Sequence, residues 1–226
     1  MRTFCYAKSH TNFPLYKEGT LIQMNTKTKK KTEFLVKVAM LGAVATVLML
    51  IEFPLPFIAP PFYELDFSEV PVLIGTFAMG PLAGVLIEFI KVLLNLVING
   101  TITAGVGELA NFVVGCSFIV PAGIIYKRNK TKTSALIGLI VGTLTMAVIS
   151  LPINAYVMIP AYVMLAGFPQ DMIIGMGNAI FPFIDSIIKL ALCCAVPFNL
   201  IKGVVISVIT FILYKPIHPL LKKISF

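Results

Sequence analysis

Charge is what this sequence has least of. Only 12% of its 226 residues are Asp, Glu, Lys or Arg, about half of the ~25% usual in a soluble domain. So few charges cannot coat a globule in water, which excludes an ordinary soluble domain. Histidine is scarcer still: His10 and His218 both lie in terminal stretches. None is available between the apolar segments for a Ser–His nucleophile or a His-ligated metal, so no catalytic residue and no metal site is predicted. The four cysteines, Cys5, Cys116, Cys193 and Cys194, show neither C-x-x-C nor His-linked zinc spacing and read as small apolar packing residues. No G-x-x-x-x-G-K-[ST] run occurs, so any work driven by ATP must be powered by another chain. No secretory signal peptide is expected, because the first apolar run begins only near Phe34 and is too long for one.

What is present is apolar. Hydrophobic residues make up 58% of the chain, with a mean hydropathy of +0.95, and they fall in runs long enough for a hydrocarbon core about 30 Å thick. The expected helices are 34–51, a shorter segment 70–79, then 81–98, 106–126 and 134–156, and a last one ending near Tyr214. Four prolines between Phe53 and Phe62 stop the first, since proline breaks a helix interior. Gly80-Pro81 separates the second from the third, and Asn99-Gly100 marks the next turn. Residues 159–180, with Gly167, Pro169, Asp171, Gly175 and Gly177, read as an external loop, with room for one short helix.

The net charge of +8 is not spread as a nucleic-acid surface would require. It gathers at Lys27, Lys29, Lys30 and Lys31, at Lys127, Arg128, Lys130 and Lys132, and at Lys215, Lys222 and Lys223, between or beyond the apolar runs. Such clusters mark cytoplasmic loops, while Glu52, Glu64, Asp66, Glu69 and Asp171 fall on the other side. An even number of crossings satisfies every cluster. The expected architecture is therefore an all-α integral membrane protein, a six-helix transmembrane bundle with both termini cytoplasmic. Residues 1–32 are expected to be a disordered basic cytoplasmic tail and residues 33–226 the transmembrane domain. Met24 is a second possible start.

A charge at mid-bilayer costs roughly 2.5–3.5 kcal/mol on insertion scales, so each one needs a partner or a purpose. Glu88 and Lys91, three apart on one helix face, are expected to pair. Glu108 and Asn111 also share a face, suited to helix capping or interhelical hydrogen bonding. Lys202 has no acid within a turn; Asn199 lies on its face and Asn154 on the preceding helix, a donor and acceptor set suited to an uncharged polar ligand. Ala39 and Ala43, and Gly138 and Gly142, have the small-residue spacing of close helix approach, for internal packing or a docked partner.

Five segments together resemble a known family. Phe53-Pro-Leu-Pro-Phe57, Leu65-Asp-Phe-Ser-Glu-Val-Pro71, Gly80-Pro-Leu-Ala-Gly84, Ala110-Asn-Phe112 and Pro197-Phe-Asn-Leu-Ile-Lys-Gly203 are similar to the riboflavin-specific substrate-binding subunit of energy-coupling factor (ECF) transporters. The resemblance runs from about residue 34 to the end. It implies a plasma-membrane subunit without enzymatic activity or cofactor that captures riboflavin from outside. It implies as partners a transmembrane coupling subunit and two ATPase subunits, besides membrane lipid. It implies ligand contacts near Leu65, at Asn95, Asn154, Asn199 and Lys202, and a partner-docking A-x-x-x-A motif at Ala39 and Ala43. The chain departs from the pattern at Glu64, at Val92 and in the length of the connection before the last helix. Apart from the resemblance, three alternatives remain: a subunit of the same kind for another vitamin or precursor, an intramembrane lipid enzyme using Glu88, Glu108 or Asp185, and an assembly protein whose polar residues only pack.

Overall fold

The computed structural model describes residues 17–224, with side chains from Thr28 to Tyr214 and at Pro216. Two units divide the chain, residues 1–36 and 37–226. In the first, helical backbone begins at Lys17 and belongs to α1 (Lys17–Met49). The second half of the predicted disordered tail is thus helical; nothing in residues 20–32 is Gly or Pro to interrupt it. The first half of that tail lies outside the described residues.

The second unit is built from helices. After α1 come two short strands, β1 (Phe53–Pro54) and β2 (Glu64–Leu65), then α2 (Glu69–Met79), α3 (Pro81–Asn99), α4 (Val106–Arg128) and α5 (Lys132–Ile153). They are followed by α6 (Ile159–Met164), α7 (Gln170–Ile180), α8 (Ile187–Leu190) and α9 (Val196–Ile224). The punctuation is local. α2 ends at Gly80, whose φ of 99° favours glycine, and Pro81 opens α3 at once. α3 ends at Gly100, φ 72°.

Among the described residues, five stretches are long and apolar enough to cross a membrane: Thr28–Met49, Pro81–Asn99, Val106–Arg128, Lys132–Met164 and Ile187–Tyr214. Their outward faces are apolar, with Leu82, Val97 and Val148 each about 70% exposed, as lipid requires and water does not. The chain is a multi-pass membrane protein. α2, the predicted second helix, has 11 residues and at 1.5 Å per residue is about 16 Å long. It sits at the centre instead, with nine of those residues buried against α3, α4 and α9.

One span runs past the sequence expectation, and the last span, whose start the sequence left open, uses the same device. The fifth helix was expected to stop near Tyr156 and residues 159–180 to form a loop. The helix instead continues to Met164 through a wide turn at Asn154–Met158, where the Ile159 N–H reaches back five residues to the Asn154 carbonyl. A second wide turn at Ala191–Ala195 joins α8 to α9, with the Val196 N–H on the Ala191 carbonyl. Each turn is followed by a proline, Pro160 or Pro197. A proline ring collides with the carbonyl four residues back; widening the preceding turn relieves the collision without breaking the helix. The rest of the expected loop holds α7, whose Ile173 and Gly177 are buried.

Small residues set the tightest approach. A Cβ on Gly138 would lie 2.8 Å from the Ala122 carbonyl oxygen, and one on Gly142 would lie 2.5 Å from that of Phe118. This pair therefore serves packing of α5 on α4. Ala39 and Ala43 are exposed.

The expected pairing of Glu88 with Lys91 is present and larger than expected. The Lys91 ammonium lies 2.8 Å from Glu88 Oε1 and donates to Glu69 Oε1 of α2 at 2.7 Å. All three side chains are 3% exposed or less. Gly115 of α4 supplies the room, since a Cβ there would overlap Glu88 Oε1.

Two outcomes follow for purified protein in detergent. Lys91→Met strands two buried carboxylates and should lower stability by about 3–5 kcal/mol, read as a large drop in the thermal unfolding midpoint; an unchanged midpoint would show that the lysine does not hold the bundle. Gly138→Leu should cost about 1–3 kcal/mol by forcing α5 off α4, while Gly175→Ala in α7, where a Cβ meets nothing within 4 Å, should be neutral or slightly stabilising. Equal losses from both would remove the close-approach explanation.

Candidate functional site

The Pro-rich segment after α1 is an ordered cap. Phe53 pairs with Leu65 and Pro54 with Glu64 in a two-residue antiparallel ladder, which closes residues 55–63 into a compact loop. Ala59 and Tyr63 from that loop are buried with Ile173 of α7, Ile184, Leu190 of α8 and Phe198 of α9. Tyr63 stacks tilted on Phe198 with centroids 5.5 Å apart, and Phe62 on Tyr162 at 5.4 Å. Apolar area removed from water thus holds the loop over one end of the bundle.

Beneath this cap, a cavity of about 420 Å³ opens where α1, α3, α4, α5 and α9 meet. The volume lies in the range of small-molecule sites. Its wall combines the aromatic side chains Phe62, Tyr63, Tyr162 and Phe198 with polar ones.

Four of the five residues expected to contact a ligand line this cavity: Asn95, Asn154, Asn199 and Lys202. Asn154 is 6% exposed and Asn199 7%, and both stand at or just after a wide turn. The Asn154 Nδ2 donates to the Ser150 carbonyl and its Oδ1 accepts from the Tyr63 hydroxyl at 2.8 Å, tying the cap to α5. Burial, then the nearby Cys194 and Tyr162, pushes the Tyr63 hydroxyl above its ordinary pKa, so it stays a donor. The Asn199 Nδ2 donates to the Ala195 carbonyl; its Oδ1 takes no part in that bond. Asn95 is half-buried and accepts from Asn99. Leu65 is not in the wall. Its side chain packs into the cap, and its chain neighbours Glu64 and Asp66 line the cavity instead.

Lys202 has a partner that spacing could not reveal. Asp66, 136 residues earlier, accepts its ammonium at 2.7 Å. Asp66 is 4% exposed and also accepts from the Ser68 backbone N–H at 2.7 Å. Burial raises its pKa, but the ammoniums of Lys202 and Lys91, with the two hydrogen bonds, outweigh that and hold it at about 2. Asp66 is therefore ionised at neutral pH. Any stability it confers is complete above the ordinary carboxylate range and is lost only as pH falls toward 2.

More acid surrounds the opening. Glu52 lies beside Glu64 across the ladder. Burial, a hydrogen bond with Glu64 and the charges of Glu64 and Asp66 raise Glu52 to about 7 against the pull of Lys202. Glu108 and Asn111 both line the cavity; Glu108 caps nothing and accepts from the Thr101 hydroxyl at 3.0 Å. Thr101 and Thr103 fold the α3–α4 turn by accepting from backbone N–H groups of Gly105 and Gly107. Among the described residues no group of three or more His, Cys, Asp or Glu is placed to hold a metal ion.

Comparison with known proteins agrees with this arrangement. The family model described as "ECF transporter, substrate-specific component" matches residues 33–214. A protein of Staphylococcus aureus named "Riboflavin transporter RibU" is 37% identical over 190 residues, 84% of this chain and 93% of that one. "Riboflavin transporter FmnP" of Bacillus subtilis is 33% identical, over 85% and 96% of the two chains. A solved structure entitled "Structure and mechanism of the S component of a bacterial ECF transporter" superposes with a TM-score of 0.67 at 36% identity, covering 85% of this chain and 99% of that one. With its spans, its capped cavity and this match over most of its length, the chain belongs to the substrate-specific components of ECF transporters, a family of transport subunits rather than enzymes.

Proposed function

We propose that this chain captures riboflavin from outside the cell as the membrane-embedded binding subunit of an ECF transporter. The observation that carries the reading is that Asn95, Asn154, Asn199 and Lys202 line one cavity together with Phe62, Tyr63, Tyr162 and Phe198. Riboflavin has a flat apolar ring system, a polar pyrimidine edge and a hydroxylated tail. Phe62, Tyr63, Tyr162 and Phe198 suit the ring, while the amides suit the edge and tail. The names of two relatives at 33–37% identity support the same vitamin.

The orientation proposed is that read from the basic clusters, with both ends and the Lys127–Lys132 turn in the cytoplasm of a plasma-membrane protein. That requires six crossings, α2 with the residues leading into it making the short one. The capped cavity then faces outward, where a scarce vitamin is met. At about 0.3 kcal/mol per non-hydrogen atom, a ligand of this size gains about 8 kcal/mol, roughly micromolar affinity. A cap already packed in place reduces the ordering that binding must otherwise supply, and so favours tighter capture.

The chain has no P-loop, so export of the vitamin to the cytoplasm needs a coupling subunit and two ATPase subunits. The exposed, small-residue face at Ala39 and Ala43 is the proposed docking edge for the coupling subunit, where backbones approach closely in lipid.

Titration of purified protein with riboflavin, followed by quenching of flavin fluorescence, tests the reading. Saturable one-to-one binding is expected, weakened by about 1–3 kcal/mol in Asn199→Ala, where a ligand donor loses its acceptor. No binding of riboflavin, with binding of another vitamin, would overturn it.

A further inference from the structure

The short helix α7 carries two apolar stripes where its packing uses one. Ile173 and Gly177, four apart, seat it on the bundle. The seat is close, since a Cβ on Gly177 would run into the Leu190 and Ile184 side chains. The rest of the helix surface divides in two. Asp171, Gly175 and Asn178, at i, i+4 and i+7, are polar or bare and all exposed. Met172, Met176 and Ala179 repeat that spacing one residue later and are apolar. Met172 is 48% exposed.

The residues on either side of α7 extend this apolar surface. Met164 and Leu165 before it are 82% and 52% exposed; Phe183 and Ile188 after it are 59% and 56% exposed. Met164 ends one membrane span and Ile188 stands at the start of the next. Along the chain, the second stripe of α7 therefore joins two surfaces that already face lipid. Between Lys132 and Lys189 the only charged residues are Asp171 and Asp185, too few for a segment bathed in water.

Packing also fixes the level of α7. Leu190, on which Gly177 rests, adjoins Lys189, whose ammonium donates to Asp185 at 2.6 Å in an exposed ion pair. An exposed charge pair at the start of a span belongs in the polar headgroup layer, not in hydrocarbon. The α7–α8 turn is held at that level, because the Asn178 Nδ2 donates to the carbonyls of Pro182 and Ile184 at 2.8 and 3.2 Å. With 11 residues, α7 is about 16 Å long against a hydrocarbon core of about 30 Å, so it does not cross.

We propose that α7, with Phe183, is a membrane-interface anchor whose partner is phospholipid. The helix lies in the headgroup layer, with Met172, Met176, Ala179 and Phe183 on the upper acyl chains and Asp171, Gly175 and Asn178 toward water. The choice of the outer leaflet rests on the orientation proposed above; the anchoring itself does not, nor does it depend on which vitamin is bound. Contact is apolar and needs no anionic headgroup, since α7 carries no Lys or Arg to select one. Ile173 of the same helix is buried with Ala59 and Tyr63 of the cap, so lipid against one side of α7 backs the cap on the other.

The chain has no tryptophan, so a single introduced one reports alone. Met172→Trp, Phe183→Trp and Gly175→Trp are made in the full-length protein and placed in phosphatidylcholine vesicles, with and without bromine on the upper acyl chains. Val148→Trp, at a lipid-facing position of α5 that is 69% exposed, serves as the lipid reference. M172W and F183W should lose roughly half or more of their emission to bromine, as a depth of about 5–10 Å requires, and little to iodide present on both sides of the vesicle. G175W should do the reverse. Replacing part of the lipid with phosphatidylglycerol should change none of this. Quenching of M172W and F183W by iodide and not by bromine would overturn the proposal, because the stripe would then face water. Shielding of both from both quenchers would overturn it too, by showing that protein, such as a second copy, covers the stripe. Equal bromine quenching of G175W and M172W would remove the division into a lipid side and a water side. Thermal unfolding of each variant with the wild-type midpoint identifies the proteins to be read, and Met176→Trp replaces any that fails.

Discussion

Two carboxylates three residues apart hold the structure together. Asp66 and Glu69 stand at the entry to the central short helix, and each grips a lysine from a different helix: Asp66 takes Lys202 of α9 and Glu69 takes Lys91 of α3. Both acids are almost fully buried. In a medium that cannot solvate a free charge, neither lysine and neither acid can leave alone. The segment between β2 and α2 is thereby fixed to two helices, and everything it carries is fixed with it. That includes the ladder that closes the cap, the Tyr63 hydroxyl on Asn154, and the floor of the cavity.

This constraint explains how so short a helix as α2 is held in place. A helix of 11 residues in the middle of a bundle would be a weak element if apolar contact alone held it, since lipid competes equally well for apolar surface. Ion pairs at its start and glycine-made contact along its sides give it one position. Gly75 approaches Ile87, and Gly84 approaches Thr76. The wide turns before Pro160 and Pro197 play a related part in the longer spans. They let the helices pass two prolines unbroken and set Asn154 and Asn199 on the cavity wall.

Much of this was legible in the sequence, and the limits have physical causes. The spans could be read because a bilayer demands long apolar runs, and their ends because Gly80, Pro81 and Gly100 act locally. Asn95, Asn154, Asn199 and Lys202 were singled out, by their polarity or by family resemblance, and the fold gathers them at one cavity. The pairing of Glu88 with Lys91 followed from helical spacing, whereas Glu69 and Asp66 were missed as partners. They lie 22 and 136 residues from their lysines, and no periodicity encodes such a pair. The acids had been read only as loop charges on the outer side, and nothing in the spacing shows that a loop carboxylate will be buried. The continuation of α5 past Tyr156 was missed because the glycines, Pro169 and Asp171 of residues 159–180 read as a loop, whereas the helix runs on to Met164 before them.

The central claim is that the bond between Asp66 and Lys202 couples the cap to the last helix and shapes the cavity. A double-mutant cycle with Asp66→Asn, Lys202→Met and the pair, read by thermal unfolding and by riboflavin affinity, tests it most directly. Coupling of about 1–3 kcal/mol in stability is expected, with the double variant less damaged than the two single losses summed. Additive losses, within about 0.5 kcal/mol, would mean that the two residues act independently, and the account would fail at its base.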